Sequence, residues 1–219
     1  MNRITTAAAI VLGLVAIEAH GGTAEPVADS VVQIRDIGKP GDLGTQKTLA
    51  VKSDNPAGQN DRIAVLRFDL AADKPAAIAN PTLTLHLAKT AKSATSGTFE
   101  LYGVTAGAAE LTLDEAAYAG GGKESAVDAS GNRLQEKLAY DADPDTKGVQ
   151  PIATATLADG DAKLTFVGEA MKVYIDAAEG GTIAFIVMAT KPAEKAATPA
   201  ALFHAREAEA EVRPTLSWE

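Results

Sequence analysis

The chain has 219 residues, is 46% hydrophobic but only 5% aromatic, and carries a net charge of −9. That acidity argues against non-specific nucleic-acid binding, which rests on neutralising phosphates with lysine and arginine. The sequence has no cysteine, which excludes disulfides, cysteine-ligated zinc and thiol chemistry. The length suits one sizeable β domain.

The N-terminus reads as an export leader, residues 1–24. Arg3 supplies a short positive region, and Ala7–Ile17 forms an apolar run, too short for a membrane span of about 20 residues. Gly22-Thr23-Ala24 offers small residues for cleavage before Glu25, with cleavage after Ala19 as the alternative. Loss of Arg3 with Glu18 leaves the balance at −9. The expectation is a single domain over 25–219, secreted or at the cell surface, with no membrane span in the mature chain.

Strand signals then follow one another. Ala28–Ile34 is the first, then Leu49–Lys52, after a loop punctuated by Gly38, Pro40, Gly41 and Gly44. Ser53–Asp61 is rich in turn residues. Ile63–Leu70 is the clearest strand. Ala64, Leu66, Phe68 and Leu70 fall on one face and Val65, Arg67 and Asp69 on the other, the alternation of a half-buried strand. Thr82–Leu87 alternates leucines against Thr82, Thr84 and His86, and Phe99–Val104 continues the pattern.

Asp114–Gly148 has little periodicity and reads as a long loop or an insertion. Pro151–Leu157 and Ala162–Phe166 read as a hairpin around Asp159-Gly160-Asp161. Between Val167 and Ala178, apolar residues recur at spacings of three and four, which predicts one short helix stopped by Gly180-Gly181. Thr182–Ala189 is a continuous apolar strand of central type. Leu202–Glu207 and Thr215–Trp218 close the domain. About ten short strands with one short helix predict an all-β fold, an antiparallel β-sandwich of jelly-roll-like type.

The order of these segments carries a family resemblance. Asp29 with Val31-Val32, Gly44-Thr45, Leu49–Lys52, Arg62 and Val65–Leu70 resemble the opening of the DNRLRE domain, also classed as carbohydrate-binding module family 96. Thr82–Leu85 and Leu101–Val104 continue it. Phe203-His204-Ala205-Arg206-Glu207-Ala208 before Arg213-Pro214-Thr215-Leu216 completes it, so the resemblance spans nearly all of 27–219. It implies an extracellular β-sandwich without catalytic machinery that binds polysaccharide, an acidic glycan such as alginate among the candidates. The chain departs from the family at Leu111–Ala116, where Leu113 replaces a tryptophan and Ala116 a proline.

Candidate ligand-binding residues are Lys52, Arg62, Arg67, His204 and Arg206, with Tyr118 and Tyr140 as rings in the long loop. Arginine forks along a groove would hold sugar carboxylates or hydroxyls. The same arginines, Arg67 with Glu207 for instance, would equally serve as cross-strand ion pairs that fix register. Lys52, Arg62, Lys89 and Lys92 are candidates for a local basic patch, against ordinary loop charge. Asp141, Asp143 and Asp145 space their carboxylates as calcium loops do, although Thr146 and Ile152 stand where an EF-hand needs glycine and glutamate. They are the candidates for a structural calcium; no other cofactor is expected. The sequence holds no nucleophile elbow, paired-histidine motif or phosphate loop. Three functions follow: a secreted glycan-binding module, a structural or adhesive envelope domain, and a polysaccharide-cleaving enzyme, either a lyase using Tyr102, His204 and Arg206 or a hydrolase using two carboxylates. The expected partner is a polysaccharide or cell-surface glycan.

Overall fold

The computed structural model describes residues 21–33, 47–53, 62–70, 78–88, 96–103, 151–178, 181–190 and 199–219. Within them the chain forms a β-sandwich with one short helix, as its alternating segments predict. The smaller sheet has four strands: β1 (Gly22–Ala24), β11 (Thr215–Trp218), β5 (Thr82–His86) and β8 (Lys163–Val167), in that order. The larger has seven strands. Its path runs β10 (Ala200–His204), β3 (Thr48–Lys52), β4 (Arg62–Asp69), β9 (Thr182–Ala189), β6 (Gly97–Gly103) and β7 (Ala153–Leu157), and β2 (Ala28–Gln33) also pairs with β4. Every strand pair is antiparallel.

Alternation places Leu83, Leu85, Leu164, Phe166 and Leu216 on the inner face of the smaller sheet. They meet Leu66, Phe68, Leu101, Phe185 and Val187 from the larger one. Phe68 and Phe185 pack edge to face with centroids 5.8 Å apart, and Phe99 and Phe203 at 6.0 Å. Each such ring, fully withdrawn from water, contributes about 1.5–3 kcal/mol. The sheets are also linked at one corner, where Leu87 bridges Phe203 and the Ala88 N–H bonds the Leu202 carbonyl at 2.8 Å.

The helix α1 (Glu169–Asp176) buries Met171 and Ile175 in this core. Its Tyr174 closes the end of β6. A Cβ on Gly103 would lie 2.5 Å from the Tyr174 ring, so glycine is what lets the ring approach. Ala184 adjoins Phe185, the residue of β9 that lies opposite Gly103. There the Tyr174 hydroxyl donates to the Ala184 carbonyl at 2.8 Å and accepts from the Ala184 N–H at 3.2 Å. One phenol thus satisfies both main-chain groups of Ala184.

Three expectations are corrected. Ala153–Leu157 and Lys163–Val167 are not a hairpin: β7 pairs with β6 and β8 with β5, so the turn steps from one sheet to the other. The turn itself is as the sequence predicts, with Gly160 at φ 89 and Asp161 accepting the Ala158 N–H at 2.7 Å. Second, β4 is not half-buried. Ile63 and Val65 on its outer face are as enclosed as Ala64 and Leu66 on its inner one, and Ala184 and Ile186 beside them are buried too. Only Arg67 and Asp69 reach outward. Third, the strand expected at Leu202–Glu207 ends at His204, so strand alternation does not place Arg206 and Glu207 on opposite faces. Among the described residues no helix is long and apolar enough to cross a membrane.

Candidate functional site

The outer face of the smaller sheet is set by the register of its strands. Residues directly opposite in an antiparallel pair share a face. Thr23 lies opposite Ser217, Ser217 opposite Thr82, and Thr82 opposite Val167. One step along, Thr215 lies opposite Thr84 and Thr84 opposite Thr165. A further step brings His86 opposite Lys163. The inner positions between them are the core residues Leu83, Leu85, Leu164, Phe166 and Leu216, which pins this set outward. Neighbouring hydroxyl-bearing positions are therefore about 4.8 Å apart across the strands and about 6.7 Å apart along them.

This face is open. Thr23 and Thr165 are exposed, Thr82, Thr84, Thr215 and Ser217 are half-buried, and Val167 is 57% exposed. None of the sheet's four strands carries a carboxylate, although the chain holds 29. The charged end is cationic: Lys163 stands beside His86, with His204 nearby. Burial, reinforced by Lys163 and His204, holds the His86 imidazole below its ordinary pKa, which leaves it neutral at pH 7. The chain's single tryptophan takes no part, since Trp218 is buried in the core.

The residues expected to bind are distributed differently. Arg206 is held in a turn after β10. Its guanidinium donates to the Val27 carbonyl at 2.9 Å and lies 2.8 Å from the Glu207 carboxylate, and its amide donates to Asp29 at 2.7 Å. Arg67 meets the same segment through its carbonyl, which accepts the Val27 N–H at 2.8 Å. This is a clasp that fixes β2 against β4 and the β10 turn rather than a groove. Asp29 inside it is 1% exposed. Burial above all, with Glu207 adding to it, raises its pKa from 3.8 to about 7 against the opposing pull of the Arg206 amide and charge. Lys52 and Arg62 come opposite each other where β3 meets β4. His204, opposite Thr48, is the member of the expected set that approaches the hydroxyl face, through its proximity to His86.

Tyr118, Tyr140, Asp141, Asp143, Asp145, Lys89 and Lys92 lie outside the described residues. Among the described residues, no three His, Asp or Glu side chains gather to hold a metal ion. Sequence reasoning missed Thr23, Thr165, Thr215 and Ser217 as members of one surface. Their signal is the Thr-Leu-Thr-Leu and Thr-Leu-Ser-Trp alternation of β5 and β11, which becomes a two-dimensional array only once the register is known. No protein-family model matches the chain, and no curated protein matches it in sequence.

Proposed function

We propose that this chain is a secreted, non-catalytic module that binds polysaccharide across the outer face of its smaller sheet. The observation that carries this reading is the open, carboxylate-free array of hydroxyls from Thr23, Thr82, Thr84, Thr165, Thr215 and Ser217 on a chain of net charge −9. A sugar polymer presents hydroxyls at every residue, and threonine and serine both donate to and accept from them. The absence of acid spares a uronate-containing chain from repulsion, and Lys163 gives its carboxylates a partner at one end. The leader-like N-terminus and the resemblance to the DNRLRE domain support export and glycan binding. Among the described residues no Phe, Tyr or Trp lies on this face, so recognition rests on hydrogen bonding over area.

Affinity electrophoresis through alginate, pectin and neutral glucans, with and without a chelator, tests this. Retardation by at least one polymer is expected. Thr165→Glu combined with Thr84→Glu is expected to weaken it tenfold or more, while Thr154→Glu, exposed on β7 of the other sheet, leaves it unchanged. No retardation in any gel, or equal retardation of the wild type and the double variant, overturns the reading. Loss of retardation with the chelator alone moves the site to a bound cation, with Asp141, Asp143 and Asp145 the first residues to mutate.

A further inference from the structure

The segment read from the sequence as the tail of the leader is a strand of the folded domain. Gly22, Thr23 and Ala24 pair in register with Trp218, Ser217 and Leu216. The match is specific at Gly22. A Cβ there would lie 2.5 Å from Cζ2 and 2.6 Å from Cε2 of the Trp218 indole, so the ring occupies the space a side chain would need. Gly21 approaches the same residue from the main-chain side: its Cβ would be 3.2 Å from the Trp218 carbonyl. Trp218 is 5% exposed beneath this cover.

The contacts continue without a break into the rest of the domain. Glu25 pairs with Arg213 at 2.9 Å, Pro26 is buried, and the Val27 N–H bonds Arg67. One run of chain therefore starts as the edge of the smaller sheet and becomes β2 of the larger. Cleavage before Glu25 would remove the strand beside β11, open a row of main-chain groups at a new sheet edge and uncover the indole. It would also delete Thr23 from the hydroxyl face.

We infer that export processing cuts upstream of Gly22, after Ala19, and that β1 belongs to the mature protein. This rests on the reading of the N-terminus as a leader, and goes beyond the glycan proposal. The full-length gene is expressed with its own leader, and the exported protein is analysed by intact mass and N-terminal sequencing. The expected first residue is His20, and any start from His20 to Gly22 supports the inference. A start at Glu25 overturns it. A chain that keeps Met1 overturns the leader reading and the processing step with it.

The strand itself is tested separately with Trp218, the chain's single tryptophan. Gly22→Val in the full-length chain is expected to shift its emission to the red and to raise acrylamide quenching severalfold, whereas Thr23→Val, on the outer face, changes neither. Unchanged Trp218 fluorescence in Gly22→Val overturns the assignment of β1, whatever the processing result. Glycan binding by a protein that starts at Glu25 would leave the proposed function standing while removing this inference.

Discussion

Asp29→Asn is expected to make the protein more stable at neutral and alkaline pH. Asp29 is enclosed beside β4 with its carboxylate on the Arg206 amide at 2.7 Å, and its pKa stands at about 7 against an ordinary 3.8. A raised carboxylate pKa means that the folded state holds a proton that the unfolded state has released between those values. The stability from protonated Asp29 is then fully present below pH 3.8 and is lost as pH rises through about 7. Each pH unit in that interval corresponds to about 1.4 kcal/mol, or about 4 kcal/mol across it. Asparagine keeps an oxygen for the Arg206 N–H and never ionises, so it mimics the protonated form throughout. Urea unfolding of both proteins from pH 4 to pH 8.5 measures this directly, because the difference between them cancels the titration of other groups. The variant should gain on the wild type by about 1.4 kcal/mol per pH unit and level off above about pH 7.5. A difference that is flat with pH, or a variant that loses stability relative to the wild type as pH rises, would refute the claim that burial dominates over the Arg206 charge.

Tyr174→Phe removes the hydroxyl that serves both main-chain groups of Ala184, leaving them without that partner; the expected loss is about 1–3 kcal/mol, read as a lower urea midpoint with an unchanged m-value. Glu25→Gln breaks the 2.9 Å ion pair with Arg213, but both side chains are partly exposed and Arg213 keeps its bond to the Ala208 carbonyl at 3.0 Å. The loss is expected to stay below about 1 kcal/mol and to vanish in 1 M salt, as thermal unfolding at two ionic strengths would show.

Side-chain alternation reports which face of a strand is buried, and where burial follows one face the sequence was sufficient. Thr215–Trp218 occupies the residues its pattern predicts, and Thr82, Thr84 and His86 point outward together as the β5 pattern requires; Thr182–Ala189, buried on both faces, is legible from its unbroken apolar run instead. The pattern does not report which strand lies alongside. β7 and β8 each alternate and are joined by a tight glycine turn. Pairing with each other and stepping between facing sheets demand the same residues, so the choice belongs to the partners β6 and β5. The same limit hid the hydroxyl face. Thr23, Ser217, Thr82 and Thr165 are spread from one end of the chain to the other, and no local window contains two strands of the sheet. The same limit left the arginines with two readings, a ligand groove or register-fixing ion pairs such as Arg67 with Glu207, because a short-range reading cannot tell a groove from a clasp. What distinguishes them is Asp29 on the inner face of β2, which accepts the Arg206 amide at 2.7 Å while burial and the neighbouring Glu207 raise its pKa. A carboxylate in a Val-rich strand was the one local sign that this corner is structural. The proposed glycan surface lies instead on the outer face of the smaller sheet, whose four strands carry no carboxylate.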